Sequence, residues 1–174
     1  QLDALTTAQI DSLSTKQINT LTASQVSALT SAGNTGEVAK LTTAQIQAIS
    51  ASAVTGLTSD QIKVMDSAQL QSLTTAQVKV LSTDQMTALT SVQMNKLTSQ
   101  QMSVLTASQF TALVANTTEM KTLSTDQIRG LGNSVLTSIA STNLQVMTTD
   151  QIQALSTSQV KALTSAQITN LTTG

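Results

Sequence analysis

Residues 5–13 read LTTAQIDSL. Thr6 and Gln9 have the spacing of a capping box, in which the threonine hydroxyl accepts from the glutamine amide N–H and the glutamine side chain accepts from the threonine N–H. Leu5 stands just before the cap and Ile10 is the fourth helical residue, the spacing of a hydrophobic staple. The same signal returns at Ser14 with Gln17 and at Thr22 with Gln25. A cap residue has non-helical backbone angles, so each helix is limited to about six or seven residues before the chain must turn. Leu13 closes one short helix and staples the next.

Outward from this stretch the octapeptide runs through all 174 residues as 20 units, with partial units at 1–4 and 171–174. Fifteen units have Gln at the fifth position, and sixteen have Ser or Thr at the second. Further cap pairs are Thr42 with Gln45 and Thr74 with Gln77. Two units carry insertions, and in both an Asn-x-x-Glu start follows: Asn34 with Glu37, and Asn116 with Glu119. The expected organisation is a single repeat array over 1–174, a segment of a longer one. Longer corners are expected near 32–36 and 114–117. Irregular units are expected at 49–56 and 131–146, where Gln is missing and Gly56, Gly130 and Gly132 mark weak points.

Charge supports the register. Asp60, Asp84, Asp126 and Asp150 fall in first turns, and Lys63, Lys79, Arg129 and Lys161 near helix ends. Both placements suit the helix dipole.

The pattern predicts an all-α fold, a solenoid or superhelix of very short capped helices with one helix per eight-residue repeat. Isolated helices of this length are unstable in water, so they must stack. The core is expected from Leu5, Ile10, Leu13, Ile18, Leu21, Val26, Leu73, Val78, Leu81, Met86 and their equivalents. A continuous helix fits poorly, because eight residues at 100° each rotate the apolar stripe by about 80° per unit. A β-solenoid puts residues three apart, such as Ile10 and Leu13, on opposite faces. Disorder conflicts with two large apolar groups in nearly every unit. Units per superhelical turn stay open at three or four.

Thr, Ser and Gln number 32, 22 and 21, and charged residues are only 10%. Pro, Cys, His, Trp and Tyr are absent. Without Cys there is no disulfide framework or thiolate metal site, and without His no imidazole base or ligand. A net charge of -1 gives no basic footprint for nucleic acid. Apolar runs are far too short for membrane insertion. Seven of the nine carboxylates are taken up by caps and first turns, Asp3 and Asp11 lie near the start and no pair is singled out by spacing, so no catalytic residue, metal ligand or cofactor site is expected. Regular threonine hydroxyls raise the idea of ice or mineral contact, set against their use in caps.

The tandem units LTTAQIQA (41–48), LTTAQVKV (73–80) and LSTDQMTA (81–88) resemble repeats of very long bacterial surface or secreted, adhesin-like proteins. That resemblance implies an extracellular or cell-surface location and a non-enzymatic structural role as spacer, stalk or scaffold. The alternative is an adhesive module for glycan, protein or a solid surface. No particular partner is singled out. Some such chains are associated with haem use, for which a segment without His, Cys or Tyr offers no ligand set.

Overall fold

The computed structural model describes residues 7–29, 35–115 and 117–171. These residues are helical and sheet-free. They fall into two compact units, Gln1–Lys96 and Leu97–Gly174.

In the first unit the helices are α1 (Thr7–Asp11), α2 (Thr15–Asn19), α3 (Ala23–Ser27), a 3-10 helix (Thr35–Lys40), α4 (Thr43–Ala48), α5 (Ala51–Val54), α6 (Ser59–Val64), α7 (Ser67–Ser72), α8 (Thr75–Lys79), α9 (Thr83–Thr87) and α10 (Ser91–Met94). The second unit has α11 (Ser99–Ser103), α12 (Ala107–Leu113), α13 (Thr117–Thr122), α14 (Thr125–Gly130), α15 (Asn133–Ser138), α16 (Ser141–Gln145), α17 (Thr149–Gln153), α18 (Thr157–Ala162) and α19 (Ser165–Leu171). Each repeat forms one helix, ended by the cap of the next.

The corner needs no glycine. At the α7–α8 corner Leu73 has φ -56° and ψ 126°, and Thr74 has φ -67° and ψ 157°. Two successive extended residues turn the chain, and both angle pairs are open to any L-residue. The Thr74 hydroxyl then accepts from the Gln77 N–H, and the next helix begins.

In the first unit α7 packs on α4, α8 on α5 and α9 on α6. In the second, α16 packs on α13, α17 on α14, α18 on α15 and α19 on α16. Each partner lies three helices back, so each unit is a solenoid with three repeats per superhelical turn. The first insertion keeps that count: α4 packs on α2, with α3 and the 3-10 helix between them in sequence. The second does likewise, with α14 on α11 and α15 on α12. Residues 32–34 and 116 of the expected longer corners lie outside the described residues. Val114 leaves α12 with φ -110° and ψ 61° and is buried.

Stacking supplies what nucleation lacks. At the sixth repeat position Ile10, Ile18, Val26, Ile46, Ile62, Val78, Met86 and Ile128 are at most 1% exposed, whereas Val160 and Ile168 are 45% and 41% exposed. The leading Leu lies beside it, with Leu73 and Leu81 buried and Leu13 and Leu21 half-buried. Burying such a side chain stabilises by about 1.5–3 kcal/mol, which outweighs the few tenths contributed by an exposed ion pair. Asp60–Lys63 at 3.2 Å and Asp126–Arg129 at 3.3 Å are pairs of that exposed kind. Leu5 lies outside the described residues.

The units at 49–56 and 131–146 differ in their caps, not in their stacking. Ser50 caps α5, whereas Gly132 and Ala140 stand at the N-caps of α15 and α16 with no side-chain bond. All three helices still bury apolar side chains, among them Val54, Leu136 and Leu144.

Candidate functional site: the glutamine seam and the hydroxyl faces

The capping boxes are complete at Ser14–Gln17, Thr22–Gln25, Thr42–Gln45 and Thr74–Gln77. Asp66 serves as cap in the same way with Gln69. Gln9 lies in α1, Glu37 in the first turn of the 3-10 helix and Glu119 in that of α13. Thr6, Asn34 and Asn116 lie outside the described residues.

The box uses only half of each glutamine. At Gln77, Oε1 accepts from the Thr74 N–H at 2.7 Å. Its Nε2 donates to the carbonyls of Ile46 at 2.8 Å and Ile49 at 2.7 Å, on the corner one turn earlier. The pattern repeats through the array. Gln85 reaches Val54 and Leu57, and Gln93 reaches Ile62 and Met65. In the second unit Gln151 reaches Met120 and Leu123, Gln159 reaches Ile128 and Leu131, and Gln167 reaches Leu136 and Ile139. These partners are 28 to 31 residues apart in sequence. One amide thus starts its own helix and ties the superhelical turns together.

The side chains are buried accordingly, Gln61 at 0% and Gln77 at 2% exposed. A buried primary amide must have its donors and acceptor satisfied, and the seam satisfies both N–H groups and the oxygen. Sequence reasoning found the cap and missed the seam. A signal was present, because a capping box accepts Glu as well as Gln. Regular units here use Gln alone, and Glu appears at that position only in the two insertion units. The cap cannot account for that choice; a need for amide donors does.

Two consequences are measurable by urea unfolding. Thr74→Ala removes one cap and lowers stability by about 1 kcal/mol. Gln77→Ala also takes the amide donor from the Ile49 carbonyl and one of two donors from the Ile46 carbonyl, and costs about 2–4 kcal/mol. Equal effects from the two variants would contradict the seam's role.

Outside the seam, some third repeat positions carry hydroxyls that no cap uses, and Ser67, Thr125 and Ser141 among them are half-buried. Ser59 on α6 and Thr83 on α9 are exposed and lie on stacked helices. In the second unit Thr117 on α13 and Ser165 on α19 are exposed and Ser141 on α16 is half-buried, and α16 packs on both of the other helices. A shallow groove of about 310 Å³ runs beside Ser59, Lys63, Asp84, Thr87 and Ala88. Among the described residues no cluster of acidic side chains has the grouping of a metal site. No helix there is long and apolar enough to cross a membrane.

A family model, the ALTTAQ repeat, matches residues 1–31, 62–99 and 136–173. No curated protein and no solved structure matches the chain. The matched segments cover well over half of the sequence and include Thr74, Gln77 and the octapeptides around them. The fold is that of a non-catalytic repeat. With its all-α octapeptide architecture, the chain belongs to the ALTTAQ repeat family, associated with extracellular and cell-surface, adhesin-like proteins of bacteria.

Proposed function

We propose that the array is an adhesive region of an extracellular protein, and that its hydroxyl-lined faces make the contact. The observation that carries this reading is that Ser59 and Thr83, and Thr117, Ser141 and Ser165, hold the same repeat position on helices that pack on one another. Their hydroxyls are not spent on caps or seam, and hydroxyls both donate and accept. A set of them offers many weak, uncharged contacts to a target that is itself rich in polar groups. Multiplicity compensates for weakness when contacts are held on one scaffold.

The test is retention of the purified array on surfaces coated with glycan or protein and on hydroxylated mineral or ice. The expected result is retention on one of these, lowered about tenfold or more when Ser59, Thr83, Thr117, Ser141 and Ser165 are changed together to Ala. Thermal stability should be unchanged. Undiminished retention of that variant would remove the hydroxyl faces from the account. Absence of retention on every surface would leave the second reading, a spacer. The seam favours that reading to this extent: it ties successive turns together without requiring any ligand.

A further inference from the structure

Asp stands at the fourth repeat position in only four units, and the four form two pairs. Asp60 and Asp84 are 24 residues apart, and so are Asp126 and Asp150. That spacing is one superhelical turn, since α9 packs on α6 and α17 on α14. In each pair the earlier helix also carries a cation, Lys63 at 3.2 Å from Asp60 and Arg129 at 3.3 Å from Asp126. The later helix carries a carboxylate, Asp84 or Asp150, that makes no ion pair among the described residues. The helix dipole accounts for each Asp singly, but it gives no reason to set them one turn apart.

The groove of about 310 Å³ is lined by residues of the first pair of helices, Ser59 and Lys63 from α6 and Asp84 and Thr87 from α9, with the buried Ala88 beside them. Its volume is at the lower end of the range for small-molecule sites. The Thr87 hydroxyl donates to the Thr83 carbonyl at 2.9 Å, so its oxygen is left to accept. In the second unit Thr125, Arg129, Asp150, Gln153 and Ala154 hold the same repeat positions on helices packed the same way. Two carboxylates against one cation leave each face with a net negative charge, which disfavours an anion. A lone ammonium ligand would suit the carboxylate but face Lys63 or Arg129. A neutral sugar ring suits both, because adjacent hydroxyls donate to a carboxylate and accept from an ammonium or guanidinium.

We propose that these two faces bind neutral, hydroxyl-rich glycan chains, one sugar ring to each face. Adjacent hydroxyls of the ring donate to the Asp84 carboxylate, Lys63 donates to a further sugar oxygen, and Ala88 meets the C–H side of the ring. Asp150, Arg129 and Ala154 have the same tasks in the second unit. The groove is shallow, so a polymer crosses it without needing a free end. Each contact is weak, and two such faces joined in one chain strengthen retention on a surface that carries many glycan chains. The inference names the target class of the adhesive reading and rests on it.

Retardation of the 174-residue chain on columns of dextran, mannan and galactan tests it. Dextran sulfate and diethylaminoethyl-dextran serve as anionic and cationic comparisons, in about 0.15 M salt to screen exposed charges. The expected result is retardation on at least one neutral column, greater than on either charged one. The double variant Asp84→Asn, Asp150→Asn should bind about tenfold more weakly or worse. Both side chains are exposed, so it should keep the circular dichroism and melting temperature of the parent. Lys63→Gln with Arg129→Gln should weaken binding too, whereas a cationic ligand would be held more tightly; such a gain would overturn the proposal. Lys161→Gln, exposed and outside both faces, should change nothing, and a loss there equal to that of the Lys63 and Arg129 variant would overturn it by showing that net charge alone acts. Undiminished binding of the double Asn variant, or stronger retardation on a charged column, overturns this inference and leaves the adhesive reading standing. Retention on protein, mineral or ice with none on neutral glycans does the same. Retention on no surface at all removes both.

Discussion

Gly56→Ala is expected to be among the most damaging single substitutions in the chain. A Cβ added there would overlap the carbonyl oxygen of Ala23 and lie 2.7 Å from its Cα. The obstacle is backbone, so no side-chain rotation relieves it and two stacked turns must separate. Overpacking of a core costs about 1–3 kcal/mol where side chains can yield; here the loss should reach or exceed the upper end. Gly130→Ala meets the same obstacle in the second unit, with the added atom 2.8 Å from the Ser99 Cα and close against the Ser99 carbonyl. Gly132 is the control. Its nearest neighbours would be 3.9 Å from a new Cβ, and its φ of -68° suits any residue. Gly132→Ser should stabilise α15 by only about 0.3 kcal/mol, by giving it the missing side-chain cap. Urea midpoints of the three variants decide the matter, and equal tolerance of alanine at residues 56 and 130 would refute the close approach of the turns.

Gln77→Glu is expected to damage the array in a way that depends on pH. The substitution preserves shape and capping box, yet it replaces two N–H donors by an oxygen facing the Ile46 and Ile49 carbonyls. A carboxylate buried against carbonyls has its charged form disfavoured, so its pKa rises above the unfolded value. For a raised pKa the favourable contribution is complete below the unfolded pKa of about 4.3 and is lost as pH climbs through the folded one. The variant should therefore approach the parent's stability at about pH 4, where the protonated acid restores one donor. At pH 7 it should fall short by about 3 kcal/mol or more, the usual scale for a buried charge without a partner. The parent carries no such group at this position, so its own midpoint serves as reference. A deficit that does not change with pH would show that the side chain is not enclosed by the carbonyls.

The local half of the architecture was legible because its signals are local. Thr74 and Gln77 are three residues apart, and their reciprocal bonds follow from that spacing alone. Leu73 and Val78 flank them at staple distance, which identified the inward-facing side. What escaped reading depends on residues brought together by the superhelix. Three repeats per turn is a property of the corner angles at Leu73 and Thr74, which no residue type dictates. The second task of Gln77 is invisible for the same reason, its partners being 28 and 31 residues away. Gly56 and Gly130 read as weak points because glycine loosens an isolated helix. In the stacked array both lie directly against the backbone of a neighbouring turn.

The hydroxyl faces stand between these cases. Composition announced their abundance, and the capping boxes explain the second repeat position. Which of the others lie on stacked helices follows only from the packing of α16 on α13 and α19 on α16. The contrast between Ser14, whose hydroxyl accepts from Gln17, and exposed Ser59 is therefore structural rather than chemical.

The corner of two extended residues also bears on how such a gene can change. Because the bend needs no special residue and every regular module carries its own start signal, replication slippage that gains or loses a single octapeptide leaves an intact reading of the fold. Copy number can then drift, altering reach in small increments. A gain of one or two modules rotates everything downstream by a third or two thirds of a revolution, redirecting whatever it displays. A change by three modules comes closest to preserving the facing of downstream residues, since each helix packs on the one three back.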